Sequence, residues 1–208
     1  MALSDSVAGM DEVGRGALAG PVVTCACILR EPLQKYRDSS GWHPKSIRSL
    51  RITDSKMLGP VQRESAAAWL RHHAFFAFGL QSQQDIDRFG IVAATERAMQ
   101  MAIDGLVQQA PVSSVLVDGR DKFHFSIPHT SVVKGDALEP SIASASILAK
   151  VMRDALMRRA GAVFPQFGFE GHKGYGSEVH RRAIVECGPC ALHRLSFLGL
   201  LREQLTLC

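Results

Sequence analysis

The stretch 7–29, VAGMDEVGRGALAGPVVTCACIL, carries two predicted β-strands on either side of a glycine-rich turn. The first strand, 7–10, leads directly into the acidic pair Asp11 and Glu12. The second strand, 21–29, is a continuous run of small and β-branched apolar residues, which is typical of a strand covered on both faces. The three glycines between the strands favour a tight reversal of the chain. The stretch therefore predicts that the fold begins with antiparallel strands.

Hydrophobic periodicity predicts that strands and helices alternate along the rest of the chain. Residues 31–55 are polar and basic and predict a long loop. Apolar residues recur every three or four positions over 83–109, which predicts one long amphipathic helix. Strands followed by alternating strands and helices predict an α/β fold, with a mixed sheet covered by helices on both faces. The other predicted elements are helices over 61–73, 140–161 and 177–186, strands over 74–81, 114–117 and 131–134, and an amphipathic segment over 196–205.

Length and composition predict one globular domain. The 208 residues fit a single domain over 1–208, in which about 177–208 form a C-terminal helical extension. Hydrophobic residues make up 46% of the chain and charged residues 21%, which excludes a disordered or collagen-like protein. No apolar run approaches the roughly 18 residues that cross a bilayer, and the first residues lack the pattern of a secretory signal. We expect a cytoplasmic monomer without a membrane partner.

Five cysteines, an odd number, point to a reducing compartment. Cys25 and Cys27 alternate on the second predicted strand and are expected to be buried, one on each face. The motif Cys187-Gly-Pro-Cys190 resembles the redox motif of thioredoxins. That motif normally follows a strand and opens a helix, whereas this one follows a basic helical segment, so two ordinary thiols are favoured. A thiol oxidoreductase remains an alternative, as does a zinc site formed by these two cysteines with His180 and His193.

Charge is distributed unevenly along the chain, although the formal net charge is only +4. Segments 30–73 and 150–202 each hold nine Lys or Arg and four Asp or Glu, whereas 1–29 and 74–149 are net negative. Such a chain can assemble an acidic centre flanked by basic surface, as expected of a metal-dependent enzyme that acts on a polyanion. Ordinary solvated surface explains the same pattern, so charge alone leaves the partner open.

Four acidic residues follow predicted strands. Asp11 and Glu12 follow the first strand, and Asp118 and Asp136 follow two later ones. Carboxylates clustered at a sheet edge repel one another, and burying them unpaired costs several kcal/mol, so such a cluster implies a bound cation. Oxygen ligands without converging Cys or His favour Mg²⁺ or Mn²⁺ over zinc. Two such ions about 3.5–4 Å apart stabilise the attacking water and the leaving oxygen in phosphodiester hydrolysis.

The sequence resembles the ribonuclease HII family in seven motifs that occur in the family's order over about 7–200. The resemblance implies a ribonuclease H-like fold with a mixed five-stranded sheet flanked by helices. It implies hydrolysis of the RNA strand of RNA/DNA hybrids and nicking 5′ to single ribonucleotides in duplex DNA, which leaves 5′-phosphate and 3′-hydroxyl ends. Roles in ribonucleotide excision and RNA primer removal follow from the same resemblance. The motifs are DEVGRG (11–16) with LAGP (18–21), DSK (54–56), VDG (117–119), KGD (134–136), IASASILAK (142–150), FPQ (164–166) with HKGYG (172–176) and, in part, HRLSF (193–197).

The resemblance assigns metal binding and catalysis to the four acids named above, with two Mg²⁺ or Mn²⁺ ions per site. It assigns recognition of the ribose 2′-hydroxyl to Gly14, Arg15 and Gly16, and packing on the adjoining sugar to Tyr175. Glycines at such a position let the backbone approach a sugar closely, and the 2′-hydroxyl is what separates RNA from DNA. The implied partners are RNA/DNA hybrids and DNA duplexes that contain ribonucleotides, without a small-molecule cofactor.

Several basic residues are candidate phosphate contacts, which position a duplex without reading its sequence. Lys150 and Asp154 are four residues apart on a predicted helix, so we expect Asp154 to pair with a basic residue and not to bind metal. The candidates are Lys56, Lys150, Lys173, Arg181 and Arg182.

Two further alternatives concern the same residues. The glycines of the turn resemble a dinucleotide-binding fingerprint, but they have one residue too many and lead into a strand where that fingerprint needs a helix. A nucleic-acid-binding protein without catalysis would use the same basic surface. Retention of all four acids argues against it, because an unused acidic cluster would only repel the phosphate backbone.

Overall fold

The computed structural model describes residues 6–36, 41–120 and 122–199, and its centre is a five-stranded mixed sheet. The predicted loop 31–55 contains a separate two-stranded hairpin, whose Trp42 and nearby Ile52 are buried, so the loop prediction was wrong there. The strands are β1 (Val7–Val13), β2 (Val22–Leu29), β3 (Gln34–Lys35), β4 (Trp42–His43), β5 (Ala74–Gln81), β6 (Ser114–Asp118) and β7 (His129–Val132), and the main sheet has the order β5-β2-β1-β6-β7.

Helices cover both faces of this sheet, as the sequence predicted. The predicted long helix over 83–109 is two helices, because Gly90 between them has a φ of +79° that an α-helix does not allow. No helix among the described residues is long and apolar enough to cross a membrane. The helices are α1 (Pro60–His73), α2 (Gln83–Phe89), α3 (Ile91–Val107), α4 (Gly135–Leu138), α5 (Pro140–Val163), α6 (Phe169–His172) and α7 (Glu178–Cys187), with 3-10 turns at Ser55–Met57, Pro165–Phe167 and Leu195–Phe197.

The sheet combines an antiparallel half with a parallel half. Strand β2 runs antiparallel to both β1 and β5, whereas β1, β6 and β7 are mutually parallel. The parallel ladder between β1 and β6 ends where Met10 pairs with Val117. Asp11 and Asp118 are therefore the next residues of two adjacent strands. Both acids lie where the pairing between β1 and β6 stops, towards the carboxyl ends of the two strands.

The two faces of the sheet have separate cores. Met10 and Ala26 pack with α3, whereas Cys25 and Cys27 both pack with α1 and α5. The prediction that the two cysteines lie on opposite faces was wrong, because side chains two positions apart on a strand point the same way. Asp11 pairs with Cys25 across the ladder and so faces α5.

Strand β1 and helix α5 approach each other unusually closely. A Cβ atom on Gly9 would lie 2.2 Å from the backbone nitrogen of Ile142, so only glycine fits at this contact. The close approach brings Ser146 and Lys150 of α5 over the strand position that carries Asp11. Asp11, a predicted catalytic residue, is thus covered by helix α5.

Several element boundaries differ from those predicted. Strand β1 extends through Val13, because its pairing with β2 continues that far, so Asp11 and Glu12 lie within the strand and not after it. Strand β7 covers His129–Val132, two residues earlier than the predicted 131–134. The predicted basic helix is observed as α7, while most of the predicted amphipathic segment 196–205 lies outside the described residues.

Candidate active site

A cavity of about 340 Å³ opens at the carboxyl ends of β1 and β6. It brings together three of the four predicted acids, two of the predicted lysines and the predicted tyrosine, which come from five separate parts of the chain. The arrangement supports the prediction that these residues act on one ligand. The lining residues are Asp11, Glu12, Val13, Ser55, Lys56, Asp118, Ser146, Lys150 and Tyr175.

Asp11 is a buried carboxyl in an acidic environment. Its Oδ1 accepts a 2.7 Å hydrogen bond from the backbone amide of Glu12. Burial raises the pKa of Asp11 well above its usual value, the charges of Glu12 and Asp118 raise it further, and a hydrogen bond with Ser146 works against this shift. Because the raised pKa reflects an unfavourable ionised state, a cation bound beside Asp11 would favour the carboxylate and so offset the shift.

Asp118 and Asp136 are brought together by the turn after β7. Lys134 adopts a left-handed conformation with φ of +57°, and helix α4 begins directly after it. The backbone amide of Gly135 then donates a 2.7 Å hydrogen bond to Oδ1 of Asp118. Burial raises the pKa of Asp136 to about 6, and the charges of Asp54 and Asp118 contribute to the shift. Asp136 does not line the cavity itself, but it shares the electrostatic field of the acids that do.

Asp54 is a fifth acid in this group, and the sequence analysis did not assign it to the site. Its carboxylate accepts a hydrogen bond from the amide of Lys56 at 2.9 Å, which starts the turn Ser55–Met57. Burial alone would lower the pKa of Lys56, but the charges of four nearby carboxylates raise it: Asp54, Asp11, Asp136 and Asp118. The ammonium of Lys56 therefore offsets part of the negative charge of the cluster. Only the DSK motif in the sequence could have pointed to Asp54.

The donor atoms fit a hard divalent cation. Within the described ranges, no three Asp, Glu, His or Cys side chains already converge as a closed metal cage. Mg²⁺ does not require one, since it is usually held by one or two carboxylates together with water and substrate phosphate oxygens. The cavity offers carboxylate and hydroxyl oxygens and contains neither cysteine nor histidine, which suits Mg²⁺ or Mn²⁺ better than zinc.

The glycine-rich segment after β1 lies beside the tyrosine predicted to act with it. Gly14 has a φ of +91°, a conformation that favours glycine, and a Cβ on Gly16 would meet no atom within 4 Å. Arg15 forms a 3.4 Å ion pair with Glu12. The amides of Leu18 and Ala19 both donate to the carbonyl of Gly174, at 2.8 and 3.2 Å. These two bonds hold the glycine segment against the residue that precedes Tyr175.

The predicted lysine contacts lie in different environments. Lys150 lines the cavity and donates a 2.8 Å hydrogen bond to Asp154, which confirms the expected structural role of that aspartate. Arg63 of α1 also lies 3.8 Å from Asp154. Lys173 donates to the carbonyls of Glu170 and Gly171, so its ammonium caps α6 and does not line the cavity. Its role as a phosphate contact stays a prediction.

The cysteine and histidine residues near the C-terminus form no metal group within the described part of the chain. His180 and His193 instead face each other, with their Nε2 atoms 3.0 Å apart. Burial raises the pKa of the Cys190 thiol, whereas catalytic thiols of redox motifs need a lowered pKa. Cys187 is exposed. These observations weaken both the zinc and the redox alternatives.

The sequence analysis also missed two arginines. Arg153 and Arg194 are fully buried, and both donate hydrogen bonds to carbonyls in the segment that follows β1. The sequence shows Arg153 as a charged residue within an apolar helix and Arg194 within HRLSF, but neither pattern indicates a distant partner.

The sheet order and the helices on both faces define a protein of the ribonuclease H-like fold, with an acidic cavity at one edge of the sheet. The same fold occurs in the ribonuclease H2 from Pyrococcus horikoshii OT3, with a TM-score of 0.70 and 21% identity over 97% of this chain and 99% of that one. It also occurs in Bst-RNase HIII in complex with Mn²⁺, with a TM-score of 0.71 and 18% identity over 98% of this chain and 70% of that one. The predicted fold class is thus confirmed.

The chain belongs to the ribonuclease HII family, whose profile matches residues 8–199. It is 42% identical to the ribonuclease HII of Syntrophotalea carbinolica over 96% of this chain and 88% of that protein. It is 43% identical to the ribonuclease HII of Halorhodospira halophila over 94% of this chain and 93% of that protein. The protein is therefore a metal-dependent hydrolase of phosphodiester bonds, an endoribonuclease that acts on RNA/DNA hybrids. The family resemblance stated from the motifs is confirmed.

Proposed function

We propose that the protein hydrolyses the RNA strand of RNA/DNA hybrids and also nicks duplex DNA on the 5′ side of a single embedded ribonucleotide. The products carry 5′-phosphate and 3′-hydroxyl ends. The observation that carries the proposal is the shared cavity, in which Asp11, Glu12 and Asp118 lie with Tyr175. The cavity thus combines acids that suit phosphodiester hydrolysis with groups that suit recognition of a ribose.

Asp11, Glu12, Asp118 and Asp136 would hold two Mg²⁺ or Mn²⁺ ions when the substrate is bound. Such ions would supply Lewis-acid stabilisation of the attacking and leaving oxygens, so that the ribose 2′-hydroxyl is not the nucleophile and no cyclic phosphate forms. The chain's own contribution is to hold the acids in place, through the amide of Gly135 on Asp118 and the amide of Glu12 on Asp11.

Recognition of the ribonucleotide is assigned to Gly14, Arg15, Gly16 and Tyr175. The open space at Gly16 supports this role, because a sugar can approach the backbone there without meeting a side chain. The 37% exposure of Tyr175 at the cavity leaves part of its ring free to pack on a neighbouring sugar. The backbone groups of the segment then contact the 2′-hydroxyl, which DNA lacks.

Contact with the phosphate backbone of the bound duplex is assigned to Lys56, Lys150 and Lys173. Lys56 and Lys150 line the cavity. In the free protein Lys150 donates a hydrogen bond to Asp154, and Lys56 lies in the field of four carboxylates. Phosphate binding by either lysine therefore competes with the attraction of these acids. Contacts of this kind make affinity fall as salt rises, without giving sequence preference.

The cellular setting belongs to the same proposal. A nick beside a single ribonucleotide suits ribonucleotide excision, and cleavage of hybrids suits removal of RNA primers. We propose that the chain acts as a single-domain cytoplasmic monomer without a small-molecule cofactor. The cleavage assay described next also measures whether Mg²⁺ or Mn²⁺ supports faster cleavage.

The test is cleavage of a labelled DNA duplex with one ribonucleotide, in Mg²⁺, Mn²⁺ or EDTA, with the cut position and end groups mapped. A long RNA/DNA hybrid and an all-DNA duplex of the same sequence are the matched substrates. The expected result is a metal-dependent nick 5′ to the ribonucleotide and no cut in the all-DNA duplex. Cleavage of the hybrid alone would overturn the roles given to Arg15 and Tyr175. Cleavage of neither would favour a nucleic-acid-binding protein without catalysis.

A further inference from the structure

Two arginines of this protein, Arg153 and Arg194, are fully buried without a salt bridge in the described part of the chain. A buried charge is costly unless hydrogen bonds replace its hydration. Arg153 lies in α5, and Arg194 comes just before the turn Leu195–Phe197. Neither residue touches the acids of the cavity, and both point instead towards the segment after β1.

Arg194 binds the glycine-rich segment through its whole guanidinium group. Its Nη1 donates to the carbonyl of Arg15 at 2.7 Å, and its Nη2 donates to the carbonyls of Gly14 and Gly20 at 2.7 and 2.8 Å. Its Nε also donates to the carbonyl of Gly20, at 2.9 Å. One side chain thus fixes both ends of the turn between β1 and β2.

Arg153 completes this arrangement from the other side. Its Nη2 and Nε donate to the carbonyls of Ala19 and Pro21, at 3.0 and 2.9 Å. Its Nη1 donates to the carbonyl of Lys173 at 2.9 Å, and its guanidinium carbon lies 5.4 Å from the ring centre of Tyr175. Arg153 therefore contacts the glycine segment and the tyrosine loop at once.

Gly14 and Arg153 also constrain each other sterically. A Cβ atom on Gly14 would lie 2.1 Å from Nε of Arg153. The left-handed conformation of Gly14 and the position of the guanidinium therefore depend on one another. A displacement of either arginine would allow the backbone at Gly14–Gly16 to relax into other conformations.

Only arginine can make this set of bonds. Its planar group presents five N–H donors in a fixed fork, whereas a lysine presents one compact ammonium. Burial lowers the pKa of Arg194 to about 9, so the residue is still protonated at neutral pH. Six carbonyls are held in total: those of Gly14, Arg15, Ala19, Gly20, Pro21 and Lys173.

We propose that Arg153 and Arg194 are positioning residues that determine discrimination between RNA and DNA, because they fix the backbone of 14–16 against Tyr175. The inference rests on the proposed function of these segments as the ribose-binding part of the site. The two arginines make no hydrogen bond to Asp11, Glu12, Asp118 or Asp136. Discrimination and metal binding are therefore separable by mutation.

The test compares affinity for a duplex with one ribonucleotide and for the all-DNA duplex of the same sequence, in EDTA so that no cleavage occurs. We expect the wild-type protein to prefer the ribonucleotide by roughly tenfold, as one added hydrogen bond allows. Arg194→Gln is expected to bring the ratio close to one, and Arg194→Lys to restore part of it. Arg153→Lys is expected to lower the ratio, whereas Arg158→Lys, on the same helix but half-exposed and paired with Glu64, is the matched control.

A second readout separates positioning from general damage to the site. Mn²⁺ affinity, measured by calorimetry on each variant, is expected to stay within about twofold of wild type. An unchanged ribonucleotide ratio in folded Arg194 and Arg153 variants would overturn the proposal. So would failure of all three variants to fold, checked by circular dichroism, because the arginines would then support the whole fold. A wild-type ratio of one would instead overturn the proposed function.

Discussion

The carboxylate of Asp118 accepts a 2.7 Å hydrogen bond from the backbone amide of Gly135. The bond joins the end of β6 to the start of α4 and so places Asp136 near Asp118. Gly135 is tightly enclosed, because a Cβ atom there would lie 2.5 Å from Cδ1 of Ile142 and 3.3 Å from Oδ1 of Asp118. The geometry of two acids thus depends on a residue with no side chain.

Gly135→Ala is expected to lower kcat by about tenfold or more, because the added methyl group must displace Ile142 or Asp118. Overpacking of this size costs about 1–3 kcal/mol. Gly171→Ala is the control, since a Cβ there meets no atom within 4 Å and the φ is not positive. Steady-state cleavage of the single-ribonucleotide duplex measures both. Equal kcat values for the two variants would contradict the role of the Gly135 amide.

Asp11→Asn is expected to reduce cleavage by about 10³-fold, since loss of a carboxylate ligand removes several kcal/mol of transition-state stabilisation. Duplex affinity in EDTA is expected to stay within about threefold of wild type, because the phosphate contacts come from other residues. Asp104→Asn, an exposed change on α3, is the matched control. Turnover of the Asp11 variant near the wild-type rate would disprove the metal assignment.

Three hydrogen bonds determine which tautomer each of two buried, neutral histidines adopts. The amide of Cys190 donates to Nδ1 of His193 at 2.9 Å, which leaves the proton of neutral His193 on Nε2. That Nε2 donates to Nε2 of His180 at 3.0 Å, and Nδ1 of His180 donates to the carbonyl of Tyr175 at 2.9 Å. The His172 ring stacks on His180 with centroids 4.3 Å apart. A proton added to the pair would place two N–H groups face to face.

Stability is therefore expected to fall as the pH drops from about 6.5 to about 4. Burial lowers the pKa of His180 to about 4, and neighbouring His172 and His193 contribute. In this range the unfolded chain binds a proton that the folded chain does not, which costs up to about 1.4 kcal/mol per pH unit. His180→Gln is expected to flatten the pH dependence of urea unfolding, whereas exposed His72→Gln is not. Parallel curves for His180→Gln and wild type would refute this explanation.

Two ion pairs join α1 to α5 and predict different contributions to stability. Asp154 is buried and contacts both Lys150 and Arg63. Asp154→Ala is expected to cost about 1–3 kcal/mol of unfolding free energy, because it leaves two cations with little solvent. Glu64→Ala breaks a half-exposed pair with Arg158 and is expected to cost less than about 1 kcal/mol. Urea unfolding measures both, and a larger loss for Glu64→Ala would contradict the burial argument.

The thiols near the C-terminus are expected to be dispensable for catalysis. The reactive form of a cysteine is the thiolate, and burial raises the pKa of Cys190. Cys187→Ser and Cys190→Ser are therefore expected to keep cleavage activity within about twofold of wild type, with or without a reducing agent. A large loss in Cys187→Ser would revive the thiol oxidoreductase alternative.

The sequence pattern predicted which acids lie together better than it predicted the contacts that hold the surrounding segments in place. Asp11 and Asp118 were predictable as neighbours, because each directly follows an apolar run that forms a strand, although β1 continues past Asp11 to Val13. The break at Gly90 was not, since the apolar period continues across it. The hydrogen bonds of Arg153 and Arg194 could not be predicted from the sequence for a different reason. Periodicity reports which face of a helix is buried, but not which residue more than a hundred positions away supplies the hydrogen-bond acceptor.

The bond between Arg194 and Gly14 spans 180 residues of sequence. Ribosomes add about 5–20 residues per second, so roughly 10–40 s separate the synthesis of these two residues. All four proposed metal-binding acids are already present in the nascent chain when Arg194 is added. If the proposed roles hold, the nascent chain contains its catalytic acids before Arg194 can fix the ribose-binding segment. Selectivity for RNA then depends on a residue that is added after every proposed metal-binding acid.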